Sequence, residues 1–337
     1  MHVRTIAAAS LLTACLPEVS SDLSRVDEPR ILAVRAEPAE VAPGEVSTFT
    51  ALYADASGEI DMASLDWALC NARRPLAELG PVNRLCLEKT NKSLVSLGEG
   101  PSVSGGPPDD ACRRFGPEPP LAQPGQPTGR VVDPDLTGGY YQPLRILPAD
   151  AGAELSLLQL RLRCGLAGAT QQQAAEYRKR YKPNVAPAVL ELTADGATVA
   201  APRMVAAGTA VALRVAWPAC PEQASCGDGL CSLDESLENC PGDCSEINGC
   251  GGAERYLRFD PISLTLLESR EAIGVAWFAT DGTFEKARTG RAADEPETTS
   301  DNVWTAPDGP GPVTLWVVLR DDRGAASWRR VDIEVTA

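Results

Sequence analysis

VTLWVVLRDDRGAASWRRVDIEV, residues 313–335, settles the fold class of this chain. Leu315, Val317 and Leu319 recur at every second position, Asp322-Arg323-Gly324 breaks the run, and Val331, Ile333 and Val335 resume the same alternation. A side-chain period of two with a Gly-containing turn between the halves is a β-hairpin with one buried face. Upstream, AIGVAWFATDG (272–282) is a further strand with a central aromatic pair, Trp277 and Phe278. PAVLELTADGATVAAPRMVAAGTAVALRVAW (187–217) contains a strand, a turn region, and a strand with Val211, Leu213, Val215 and Trp217 on one face.

The first half follows the same plan. ILAVRAEPAEVAPGEVSTFTALYAD (31–55) reads as a strand, a turn ending at Pro43-Gly44, and a strand with Phe49, Ala51 and Tyr53 on one face. SLDWALC places Trp67 in an inner strand, and LSLLQLRLRC (155–164) sets Leu158, Leu160, Leu162 and Cys164 against Gln159, Arg161 and Arg163. Short strands with turn signals and almost no helical periodicity argue for an all-β chain of two Ig-like β-sandwiches in tandem. The expected boundaries are 29–168 for the first, 169–184 for a linker and 185–337 for the second. Within the first, about 96–145 is low in periodicity and rich in Pro and Gly, and reads as a long surface loop pinned by Cys112. The linker sequence TQQQAAEYRKRYK (170–182) has good helix formers and a basic end, shows no obvious caps, and is expected to be solvated.

The motifs carry a resemblance. WFATDGTF (277–284) followed by DNVWTAPDGPGPVTLWVVLRDDRGAASWRRVDIEV (301–335) resembles the second half of a bacterial Ig-like or PKD-like domain, with its Trp strand, the W-x-x-P turn at Trp304 and Pro307, the apolar strand, the hairpin and the closing strand. At the other end, MHVRTIAAASLLTAC has one Arg before a short apolar run, the plan of an export signal. Leu12, Thr13 and Ala14 before Cys15 resemble the lipobox of bacterial lipoproteins. That resemblance implies removal of residues 1–14 and lipidation of Cys15, with 15–28 as a tether. Together these features resemble surface lipoproteins of myxobacteria. The resemblance implies architecture and a place in the cell envelope, at the outer rather than the inner membrane, with the N-terminal lipid as the membrane contact.

Cysteine arithmetic agrees with export. Of eleven cysteines, setting Cys15 aside leaves ten: Cys70, Cys86, Cys112 and Cys164 in the first half, then Cys220, Cys226, Cys231, Cys240, Cys244 and Cys250. An oxidising compartment makes these five disulfides, whose pairing the spacing leaves open. The last six lie in an acidic insert, 218–253, that interrupts the second sandwich and resembles the CGDGxC…NCPxDC module of secreted bacterial proteins. Three chemistries compete there. Four thiolates are enough for a zinc site; three disulfides replace a core that some thirty-six residues with few large apolar side chains cannot build. Calcium is compatible with the disulfides. Between Arg214 and Arg255 the chain has eight acids and no base, and clustered carboxylates repel unless a hard cation takes some as ligands. Asp228, Asp234, Glu235, Asn239 and Asp243 are the candidate ligands, weighed against solvated acids on a stapled loop.

Composition narrows the function. A net charge of −15 repels nucleic-acid phosphates. The single histidine, His2, lies in the segment expected to be removed, which excludes Ser-His-Asp and Cys-His catalysis and His-ligated zinc. No G-x-S-x-G, P-loop or dinucleotide fingerprint is present. The sequence therefore points away from an enzyme, to a lipid-anchored envelope protein whose Ig-like domains bind an envelope protein or glycan, with a calcium-responsive scaffold or sensor as the alternative. Five of the six tryptophans crowd the second sandwich; Trp316 and Trp328 lie on the strand faces opposite Val317 and Val331, where exposure would suggest a binding row and packing is the commoner outcome.

Overall fold

The computed structural model describes residues 23–61, 63–73, 80, 82–118, 124, 136–150, 154–199, 202–221, 225–245 and 249–337. Residues 1–22, with the expected signal, Cys15 and the first part of the tether, lie outside them.

Both halves close as two-sheet sandwiches, and both do so by the same device. In the first, Ser47–Asp55 pairs antiparallel with Arg30–Glu37, Gly58–Glu59 and Ser102–Gly105. Facing this sheet is a second, ordered Glu40–Val41, Ser156–Arg163, Gly139–Pro148, Leu65–Cys70, Leu94–Glu99. The chain enters in one sheet, then crosses over at Glu40–Val41 to pair parallel with the last strand of the other. In the second sandwich, Glu191–Ala194 sits in the sheet ordered Ala197–Thr198, Glu191–Ala194, Ala210–Ala216, Thr299–Thr305, Thr283–Phe284. Arg203–Ala206 then crosses to pair parallel with the final strand, Ala326–Thr336, at the edge of the sheet completed by Gly311–Asp321, Ile273–Ala279 and Arg288–Arg291.

The alternation read from the sequence fills the two cores. Phe49, Ala51, Tyr53, Trp67, Leu160 and Leu162 share one buried cluster; Val211, Leu213, Val215, Trp217, Trp277, Trp304 and the inward residues of the closing hairpin share the other. Burying a side chain of this size contributes about 1.5–3 kcal/mol, and the Trp67 and Trp304 indoles also keep hydrogen bonds, donating to the Gly100 and Asp281 carbonyls at 2.7 and 3.1 Å.

The expectation of a loop over about 96–145 is corrected in part. Leu94–Glu99, Ser102–Gly105 and the start of Gly139–Pro148 are strands, and Ala111–Phe115 is a short helix. SVSG at 102–105 has too little apolar content to announce a strand; its pairing with Ser47–Asp55 is carried by backbone, helped by Thr48–Ser104 and Thr50–Ser102 hydroxyl contacts. Residues 119–135, apart from 124, lie outside the described residues.

The outer faces of the two sandwiches meet. Leu32, Ala33, Leu52 and Ala54 of the first pack with Ala276, Phe278, Trp316 and Val318 of the second, with Val26 among them. Trp316 is therefore buried, and Trp328 lies under the Arg35 guanidinium, 5.0 Å from ring centre; no tryptophan row faces solvent here. The tether expectation is also altered from residue 23 onward: Val26 donates to the Ala279 carbonyl at 2.8 Å, Ala279 donates to the Ser24 carbonyl at 2.9 Å, and Val26 is fully buried.

Candidate functional site

The linker makes further contacts between the two sandwiches, through Tyr181 and Asn184. Gln171–Arg180 is a helix, and the reading of no caps is corrected: Thr170 and Gln173 form a capping box in which each side chain takes the other's backbone amide. Its basic end keeps Arg178 and Lys179 exposed, as expected of a solvated linker, but also docks on the insert. Arg180 pairs with Glu268 and with Asp234 at 3.3 Å, and Lys179 pairs with Glu238 at 3.2 Å.

Below the helix runs a buried polar chain that connects both sandwiches. Glu40, on the crossover strand of the first, accepts from Arg161 at 3.1 Å, from the Tyr181 hydroxyl, and from the Asn184 amide at 2.9 Å. The Asn184 side chain donates onward to Asp321 at 3.2 Å. Beside it the Arg323 guanidinium is held by Glu271 at 2.5 Å and Glu254 at 3.0 Å, and donates to the Lys182 carbonyl at 3.1 Å. Close approach on the first-sandwich side is made possible by Gly138-Gly139: Gly138 has φ +72, and a Cβ there would stand 2.1 Å from the Tyr177 hydroxyl, while one on Gly139 would stand 2.1 Å from the Arg161 guanidinium carbon.

Charge is unbalanced in this cluster, since Arg323 faces three carboxylates. Burial pushes Glu271 up to about 8 against the pull of Arg323, with Asp321 and Glu254 raising it further. Burial likewise raises Glu254 and Asp321. Burial opposes the charge on Arg323, yet Glu271, Tyr181 and Glu254 outweigh it and hold the guanidinium above its usual value. The arginine stays charged, and burial favours the protonated forms of the carboxylates around it.

The insert is larger than its cysteines announce. It leaves the second sandwich after Ala210–Ala216 and returns at Ile273–Ala279, and includes a hairpin, Arg255–Asp260 with Thr265–Arg270, that the sequence reading missed. Leu257 of this hairpin, Leu233 of the cysteine-rich part, and Tyr177 and Tyr181 of the linker form a small apolar cluster of their own. All ten cysteines outside Cys15 are paired: Cys70–Cys86, Cys112–Cys164, Cys220–Cys250, Cys226–Cys240 and Cys231–Cys244, with Cα atoms 4.9–5.5 Å apart. Paired sulfur removes the thiolate zinc alternative.

Of the five candidate calcium ligands, the fold brings three together. Carboxylate oxygens of Asp228, Glu235 and Asp243 lie within 4.8 Å of one another. Asp243 is buried and accepts from the Gly227 and Gly229 amides at 2.6 and 3.2 Å. Glu235 is only 2% exposed; one oxygen accepts from the Ser232 amide at 2.8 Å and the other has no hydrogen-bond partner. Asp234 is not in this group, and Asn239 is engaged locally. Asp234 faces Arg180, and the Asn239 carboxamide oxygen accepts from the Ser236 amide at 2.6 Å. Spacing alone did not separate these roles, because turns of this kind have no fixed side-chain period.

Between helix, cysteine-rich turns and hairpin lies a cleft of about 740 Å³. Leu230, Leu233, Leu237, Pro183 and Pro221 give it apolar wall; Arg178, Lys182, Asp234, Glu238 and Arg255 give it charge of both signs. Leu237 is 64% exposed at the rim. Lys182 donates to the Glu235 carbonyl at 2.6 Å, and burial lowers its ammonium below the usual value.

No family model matches the chain, and no curated protein matches it. Among solved structures it is similar to the D00-D0 domain of intimin, at 9% identity over 90% of this chain and 100% of that one, with a TM-score of 0.23. It is also similar to the Yersinia pseudotuberculosis adhesin InvE, at 11% identity over 89% of this chain and 58% of that one, with a TM-score of 0.20. Overlap this slight assigns neither architecture nor activity; the strand pairing above is what defines the two sandwiches.

Proposed function

We propose that this chain is a non-catalytic, lipid-anchored protein of the cell envelope that presents two coupled Ig-like sandwiches, and that the cleft between the linker helix and the stapled insert receives a segment of an envelope protein. The observation that carries the reading is the cleft itself. Its size is within the range of ligand sites, two of its walls are fixed by disulfides and by the buried ion pairs of Arg323, and its rim presents an exposed leucine beside cations and acids. Leucine and proline walls with a charged rim of both signs suit a peptide segment, which brings apolar anchors and its own ion pairs. A glycan is the weaker fit, because the one aromatic residue lining the cleft, among the described residues, is Tyr181, only 9% exposed.

The test is capture of partners from an envelope extract on the immobilised lipid-free chain, comparing wild type with Leu237→Arg. Leu237 is exposed, so the variant folds, and captured partner is expected to drop at least tenfold. Undiminished capture would place the binding surface elsewhere. Mass spectrometry of the native product tests the anchor: an unmodified N-terminal segment would remove it.

A further inference from the structure

We infer that the cysteine-rich insert holds a calcium ion between Asp228, Glu235 and Asp243. The three side chains come from separate turns. Gly227 (φ +96) and Gly229 (φ +82) bend the chain around Asp228 so that their amides point at Asp243. Cys226–Cys240 and Cys231–Cys244 then clamp the turn carrying Asp228 to those carrying Glu235 and Asp243. Their oxygens lie within 4.8 Å of one another. With Ca–O distances of about 2.3–2.6 Å, opposite ligands on one calcium ion stand about 4.6–5.2 Å apart, so a single ion reaches all three.

What distinguishes this group from an ordinary acidic loop is Glu235. A carboxylate 98% removed from solvent with one oxygen bare of any hydrogen bond is costly unless something positive meets it. Lys182 is a cation close enough to Glu235 to interact with it, but its ammonium is directed to the Glu235 backbone carbonyl and the sulfur of Cys231. One ammonium leaves three carboxylates in excess by two charges, which a divalent cation neutralises. Asp243 remains able to coordinate, because each of its oxygens accepts one amide and retains a lone pair. The donors are all oxygen, as a hard ion requires, and amide-fixed carboxylates favour the flexible coordination of calcium over the near-ideal octahedron of magnesium. Sulfur plays no part, since Cys226 and Cys240 beside Glu235 are bonded to each other.

Calorimetric titration of the disulfide-bonded full chain with calcium chloride tests the site. Binding is expected with Kd of about 10⁻⁴–10⁻³ M, the range of extracellular modules. Asp228→Asn and Glu235→Gln should each weaken it at least tenfold, and Asp234→Asn, on the neighbouring residue, should leave it unchanged. Asp228 is exposed, so its variant reports even if the buried substitution at Glu235 disturbs the insert. No heat at millimolar calcium, heat that survives Asp228→Asn, or equal affinity for magnesium would each overturn the assignment. None of these outcomes bears on capture of a protein by the cleft, which is measured with a different variant.

Discussion

The second sandwich and the insert it carries solve the same problem by opposite means. The sandwich buries Trp217, Trp277 and Trp304 among aliphatic side chains, and no disulfide joins its two sheets. The insert buries little beyond Leu233 and a few hairpin residues, and three disulfides hold its described turns. Apolar area is cooperative, because each side chain touches many others; a disulfide is local, acting mainly by shrinking the unfolded ensemble of its own loop. One chain thus contains a region whose stability is shared and a region whose stability is divided into separate clamps.

The comparison is broken most severely by Trp304→Ala. Removing a fully buried indole is expected to cost about 3–5 kcal/mol and to lower the whole chemical-denaturation transition of the sandwich, read by strand circular dichroism. Next is Cys226→Ser with Cys240→Ser. The bridge spans 14 residues, so its loss should remove about 3 kcal/mol, but only from the insert: hydrogen exchange should quicken at Gly227 and Gly229 while strand amides of Gly311–Asp321 keep their protection. Equal loss of protection in the strands would mean that the two regions are one unit.

The smallest effect sharpens the boundary between them, where Arg323 faces its carboxylates. Glu271 has its ordinary value of 4.5 when unfolded and about 8 when folded. The folded state therefore holds more protons between those values, and stability falls as pH rises through that window. The drop is expected to amount to a few kcal/mol at most, measured as urea midpoint against pH. Glu271→Gln should flatten the curve; a wild-type curve that rises from pH 5 to 8 would contradict the raised value.

How much of this was visible in the sequence depends on what each face of a strand meets. Leu315, Val317, Leu319, Val331, Ile333 and Val335 were legible because an apolar face opposite a polar one has a single reading. Arg161 and Arg323 were not. Both occupy positions where alternation or turn chemistry predicts solvent; Arg161 is buried under Glu40, Tyr141 and Thr137 of its own sandwich and Tyr181 of the linker, and Arg323 under Glu254 and Glu271. Trp316 and Trp328 follow the same logic, since period two marks two faces but does not say whether another sandwich lies against the second one. The T-x-x-Q box at Thr170 is legible in the letters as a helix start, whereas the hairpin over 255–270 is hidden by Arg258 and Pro261 within its apolar run. The disulfide partners were beyond reach, because six cysteines admit fifteen pairings and only folded geometry chooses among them.

The docked segment near the start of the chain has a mechanical corollary. Ser24 and Val26 both hydrogen-bond to Ala279, the last residue of Ile273–Ala279, and Arg30 holds the Leu23 and Arg25 carbonyls at 3.1 and 2.6 Å. Tension entering from the amino end therefore reaches this short clip before it reaches any strand inside a sandwich. A clip of a few hydrogen bonds and one buried valine yields sooner than a sheet, so under load it is the first of these contacts to peel away while both sandwiches stay folded.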